Sequence, residues 1–185
     1  MDVGILFTKI LTISTVLGNI LFVLLLIAHL SAKSTFKKVM EWCAEHVLLL
    51  GFLISGAATI GSLVYSQVMG YPACILCWAQ RIFMYPMMFL FALAWWRKER
   101  SIIPYALMLT LLGGAIALYQ WIKDMLALYG GGTTLGCPDV PGLPSCDRMY
   151  VLEFGYVTIP MIALNAFILI AVVLYASIRI RKQGE

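Results

Sequence analysis

Long apolar runs alternate with short polar ones along this chain, and five of the runs could cross a lipid bilayer. A spanning helix takes roughly 20 mostly apolar residues, because each adds about 1.5 Å against a hydrocarbon core about 30 Å thick. Ile10–Leu30, Val47–Val68, Trp78–Trp96, Ile102–Ile122 and Tyr156–Ser177 meet that length, and Arg81 in the third is the one full charge within them. Lipid offers the backbone no hydrogen-bond partner, so each run is predicted to be helical. The first run is longer than the roughly 7–15 residues of a signal-peptide core, and it reads as a retained span. The pattern predicts an all-α membrane protein.

Composition agrees. Of 185 residues, 62% are hydrophobic and 12% charged, against about 45–50% and 25% in soluble domains. So few charges could not cover the surface of a soluble enzyme, and so apolar a chain is not disordered. The basic residues collect at the ends of the runs. Lys33, Lys37, Lys38, Arg97, Lys98, Arg100, Arg179, Arg181 and Lys182 fall on one side, and Lys123 and Arg148 on the other. Basic loops stay in the cytoplasm. The segments 32–46 and 97–101 and the C-terminus are therefore expected inside. The N-terminus, the turn at 70–77 and a long loop at 123–155 are expected outside. Membrane topology accounts for the net charge of +4, so lipid is an expected partner and nucleic acid is not. Gly51, Gly56 and Gly61 in the second run, with Gly113, Gly114 and Ala117 in the fourth, predict close helix contacts.

This topology, drawn from lysines and arginines alone, sorts the five cysteines. Cys74, Cys77, Cys137 and Cys146 fall on the outer side, where disulfides persist, and Cys43 falls inside. Cys74-Ile75-Leu76-Cys77 has the spacing of reversible dithiol chemistry and sits where a short turn enters a helix. A helix N-terminus favours the thiolate, the reactive form. Cys137 and Cys146 lie in a loop with Pro138, Pro141 and Pro144, downstream of Gly130-Gly131-Gly132, which could act as a hinge. Two redox pairs, two inert staples and a four-thiolate metal site are the competing readings. The flexible composition of the loop weighs against rigid metal ligation.

Arg81 follows Cys77 by four residues, on the same helix face and about 6 Å deeper. A cation inside a span is costly and by default functional, although a snorkelling arginine near the span end is the bland alternative. In the functional reading it holds a polar or anionic group, such as a quinone carbonyl, near Cys77 and favours a Cys77 thiolate.

The segment Cys74-Ile75-Leu76-Cys77-Trp78-Ala79-Gln80-Arg81-Ile82-Phe83-Met84-Tyr85-Pro86 resembles the DsbB/BdbC family of membrane disulfide-bond-forming proteins. The BdbC-like branch is the nearer match. The outer cysteine pair and Gly155-Tyr156-Val157-Thr158-Ile159-Pro160 support it, and the likeness covers roughly 47–177. It implies a four-helix transmembrane bundle at 47–178, here preceded by an additional N-terminal transmembrane helix at 1–31 and followed by a tail at 179–185. It implies a thiol:quinone oxidoreductase of the plasma or inner membrane, acting as a monomer. A soluble thioredoxin-fold partner of the DsbA type would exchange disulfides with Cys137 and Cys146, and Cys146 in turn with Cys74. Cys77 would face the quinone, ubiquinone or menaquinone, beside Arg81. Vitamin K epoxide reductase-like proteins are a rival, but there the loop pair precedes the CxxC. A metal-binding or structural membrane protein is the rival from another class.

Overall fold

The computed structural model describes residues 3–31, 33–130, 136, 137 and 140–184, without the side chains at 3, 21–23, 25–36, 183 and 184. The glycine hinge expected at 130–132 thus lies largely outside the described residues. Among the described residues six α-helices form: α1 (Val3–Ser31), α2 (Lys33–Glu45), α3 (Val47–Leu63), α4 (Ile75–Arg97), α5 (Ile103–Tyr129) and α6 (Ile159–Gly184). A π-helical turn, Val64–Val68, continues α3. Four stretches are long and apolar enough to cross a membrane: Val47–Val68, Ile75–Arg97, Ile103–Tyr129 and Ile159–Lys182. Helix α1 adds a shorter apolar stretch, Gly4–Ile20. The protein is an all-α membrane bundle of four long helices with an additional N-terminal helix.

The bundle closes on Val47, Met87, Phe91, Ala117, Phe167, Ile170 and Leu174, all buried. Small residues set its tightness. A Cβ on Gly113 would lie 2.4 Å from Phe167, and one on Gly51 2.8 Å from Phe91. Neither position can hold alanine without moving a core ring, which explains the glycines predicted to face neighbouring helices. Pro104 stands in the first turn of α5, where its missing N–H costs nothing.

Two segments differ from the sequence expectation. The segment 32–46, expected as a loop, holds α2. Met40 and Ala44, one turn apart, are buried, while Lys37 pairs with Glu41 at 3.8 Å on the exposed side. The helix is amphipathic and packs along α1 and α6, so a polar average hid it. The outer loop expected from residue 123 begins only after Tyr129, because α5 runs seven residues past Ile122. Its inward stripe, Gly113, Ala117, Gln120 and Asp124, keeps helical spacing through the charged residues. Lys123, expected in the solvated loop, is fully buried.

Beyond α5 the chain returns through Cys137 and Cys146 to a tight reversal at Phe154 and Gly155, both at positive φ. Glu153 and Val157 close it with paired backbone hydrogen bonds of 3.0 and 2.9 Å. The far end of α5 holds this turn: Trp121 Nε1 donates to the Tyr156 carbonyl at 3.0 Å, and the Tyr129 hydroxyl to that of Gly155 at 2.8 Å.

Candidate functional site

Cys74 caps α4 in extended conformation, and Cys77 lies one turn into the helix. Their sulfurs are 3.2 Å apart and unbonded. Cys137 and Cys146 form a disulfide with Cα atoms 6.0 Å apart. The four sulfurs expected to work together therefore stand as one free dithiol and one disulfide. Cys74 and Cys146 are 5% and 3% exposed, so neither is freely open to solvent.

A hydrogen bond from Cys77 is the main influence holding the Cys74 thiol down, to about 6 from an ordinary 9.0; burial opposes it, and backbone amides at Cys77 and Leu76 assist. The backbone amides of the α4 N-terminus contribute less than the Cys77 side chain, and the thiol they favour is Cys74.

Gln120, on α5, reaches both sulfurs. Its amide nitrogen lies 3.5 Å from Cys74 Sγ and 3.5 Å from Cys77 Sγ. Gln80 Nε2 donates to Gln120 Oε1 at 2.8 Å, which turns the Gln120 N–H groups onto the thiols. Both glutamines are buried. Sequence reading missed this pair. The signal was available: Gln120 sits on the small-residue stripe of α5, and Gln80 directly precedes Arg81.

Arg81 lines the same small cavity as Cys77, as the four-residue spacing requires. Its guanidinium is committed elsewhere than expected. Nε donates to Ser62 Oγ at 2.9 Å and an Nη to the Ser62 carbonyl at 3.3 Å, while the group lies 5.1 Å from the Trp78 ring centre. The Tyr85 hydroxyl also donates to Ser62 Oγ, at 3.1 Å. A cation at this depth is thus fixed to α3 by a hydroxyl and a carbonyl.

Two cavities meet at this arginine. The small one, about 60 Å³, is lined by Cys74, Cys77 and Gln120 together with Ser145 and Arg148, which flank Cys146 in the chain. The larger, about 360 Å³, is apolar and lies between α1, α3, α4 and α6. Arg81, Tyr65 and Ile159 line both. The Cys146 segment is anchored from below: Lys123 Nζ bonds the carboxylate of Asp147, whose second oxygen accepts from Ser145 at 2.9 Å. Tyr71 stacks between Tyr65 and Tyr150, joining the turn before α4 to the same segment.

Cys43 lies apart on α2, half-buried, its thiol raised by that burial. Among the described residues, no three His, Cys, Asp or Glu side chains converge as a metal-ligand set.

Residues 44–177 match the family described as "Disulfide bond formation protein DsbB". The chain is 39% identical over 128 residues to "Probable disulfide formation protein C" of Bacillus cereus, covering 69% of this chain and 88% of that protein. It is 36% identical over 144 residues to "Probable disulfide formation protein" of Oceanobacillus iheyensis, covering 77% and 94%. It is 32% identical over 125 residues to "Disulfide bond formation protein C" of Bacillus subtilis, covering 68% and 87%. No solved structure matches it significantly. With a family match across all four long helices and both cysteine pairs, the chain belongs to the DsbB family of disulfide bond formation proteins and is a disulfide-forming membrane protein.

Proposed function

We propose that this protein is a thiol:quinone oxidoreductase of the cell membrane that reoxidises a soluble thioredoxin-fold dithiol protein of the DsbA type on the outer face. The observation that carries the reading is that the free Cys74–Cys77 dithiol and Ser145 and Arg148, close neighbours of Cys146 in the chain, line one cavity of about 60 Å³. Two pairs so arranged can exchange electrons without either leaving the protein.

Each step moves one disulfide. A thiolate of the partner attacks Cys137, and Cys146 leaves as a thiolate; the partner's second thiolate then breaks the mixed disulfide, so the partner is oxidised and the loop pair reduced. In the oxidised form of the helix pair, Cys146 attacks Cys74 and Cys77 leaves. Cys137 then attacks Cys146, and Cys74 leaves. A low thiol pKa makes a better leaving group, so the hydrogen bond that holds Cys74 at about 6 speeds that release. Gln120 donates toward both sulfurs and supports the charge that each carries in turn. The net result is two electrons and two protons at Cys74 and Cys77.

The large cavity has the chemistry of a quinone site. It is membrane-embedded and apolar, its size is that of a small-ligand pocket, and Arg81, Tyr85 and Ser62 supply polar groups at one place on its wall. Arg81, Tyr85 and Ser62 would hold a quinone there, and it would supply an acceptor for the two electrons and two protons as the Cys74–Cys77 bond re-forms. Arg81, shared by both cavities, is the residue that would favour negative charge on a quinone oxygen.

The positive loops favour the orientation that puts all four sulfurs outside. The test is anaerobic turnover in nanodiscs with a reduced thioredoxin-fold donor and a quinone. One quinone reduced per donor disulfide formed, with none after Cys74→Ser or Cys77→Ser, is the expected result. Donor oxidation without quinone reduction would refute the proposal.

A further inference from the structure

Helix α1 precedes the residues that match the family, yet it forms one wall of the large cavity. Leu11, Ser14 and Thr15 face α3, α4 and α6 across it. We propose that α1 closes the quinone site of this chain from the lipid side, and so sets how tightly an isoprenoid quinone is held. The inference rests on the quinone reading given above and adds a ligand-binding role for a helix outside the family core.

The docking of α1 is specific at several points. Asn165 of α6, itself buried and part of the cavity wall, donates from Nδ2 to the Thr15 carbonyl at 3.2 Å. That carbonyl lies inside α1 and accepts from Asn165 in addition to its own helix, and Gly18 leaves the room: a Cβ there would come within 2.6 Å of Asn165 Nδ2. The glycine is therefore what lets α1 approach the asparagine. One turn earlier, Leu11 lies 3.5 Å from the Cβ position of Gly61, next to the Ser62 that holds Arg81. Phe7 meets Tyr65 edge-on, with ring centres 5.7 Å apart. Thr12 and Thr15 are buried with their hydroxyls bonded to carbonyls of their own helix, so they add no unpaired donor to an apolar wall.

The physical consequence follows from enclosure. With α1 absent, α3, α4 and α6 would present a groove to lipid, and acyl chains would compete for it. With α1 docked, the ligand gains a fourth apolar surface and loses its competitors. The charged group of the site, Arg81, stays on α4 with its partner Ser62 on α3, so α1 contributes affinity and not the chemistry at sulfur.

Two full-length variants test this. Gly18→Leu pushes α1 off Asn165 without changing any residue of the cavity wall. Ser14→Phe adds a ring at the exposed α1 rim of the cavity without touching the Asn165 contact. Both are first shown to keep wild-type helical content and elution volume. Equilibrium binding of a one-isoprene quinone to protein in nanodiscs is then measured by calorimetry, with no donor protein present. Both variants are expected to bind at least about ten-fold more weakly than wild type. Wild-type affinity in both would overturn the role of α1 and leave the quinone reading intact. Absence of binding by the wild-type protein would overturn the quinone reading itself, and the inference with it.

Discussion

The ammonium of Lys123, with none of its side-chain surface exposed, ends on the carboxylate of Asp147, the residue directly after Cys146. Helix α5 thereby pins the segment that carries the buried Cys146 over the dithiol. Removing one partner of such a pair is worse than removing the buried charge itself. Asp147→Ala, which removes the acceptor, should destabilise the protein by roughly 1–3 kcal/mol, the cost of a buried donor left unpaired. Lys123→Met, apolar and of similar volume, should cost less. Thermal unfolding in detergent compares them, and a lower Tm for Lys123→Met would contradict the clamp. The lysine also holds the Asp147 carboxyl below its usual range. Stability from a depressed carboxylate is complete above its ordinary value near about 4 and is lost as pH falls through the folded value. The gap between wild type and Lys123→Met should then be full at roughly pH 5–8 and shrink in stronger acid.

Cys74 should carry its own pH signature. In a Cys43→Ser background with Cys137–Cys146 intact, its alkylation rate should rise with pH through a midpoint of about 6 and fall below it as the thiolate is protonated. Cys77→Ala removes the largest lowering influence and should move the midpoint up toward 9.0. Gln120→Leu removes the weakest of the named influences and should move it less. A Cys77→Ala midpoint still near 6 would assign the effect to the backbone amides and Gln120 in place of the Cys77 side chain.

Arg81 should report on the quinone and not on folding. Arg81→Ala is expected to raise the apparent quinone KM by about 10- to 100-fold, the span of a hydrogen bond to a charged group worth about 1.5–3 kcal/mol. Helical content should change little. Ser62→Ala frees the guanidinium without removing its charge and should have a smaller effect of the same sign. Ordinary quinone kinetics in Arg81→Ala would reduce the arginine to a tie between α4 and α3.

Cys43 supplies the negative control. Its thiol is raised by burial and sits on α2, away from the other four. Cys43→Ser should leave turnover unchanged, and reaction of Cys43 with alkylating agents at neutral pH should be slow. Loss of turnover in that variant would place a thiol step on the other side of the membrane.

Much of this fold was legible because lipid enforces one rule, that apolar runs be helical. The predicted run Val47–Val68 coincides with a candidate span, and the CxxC falls at a helix N-terminus as its spacing demanded. The rule fails where charge is turned inward. Lys123 and Asp124 end an apolar run by composition, yet both are buried, and Asp147 meets the lysine from 24 residues away. The same tertiary contact was invisible at Gln120, whose role depends on Gln80 from another helix. Helix α2 escaped because an amphipathic helix has a polar average. For Arg81, spacing gave its face correctly, but only the structure gave its partner, Ser62.

The central claim is that the loop pair and the helix pair form one relay, through a bond between Cys74 and Cys146. The double variant Cys77→Ala/Cys137→Ala removes the present sulfur partner of each of those two cysteines. Mass spectrometry of an unreduced digest after mild oxidation should find Cys74 and Cys146 joined within one chain. Two free thiols, or links only between chains, would contradict the relay.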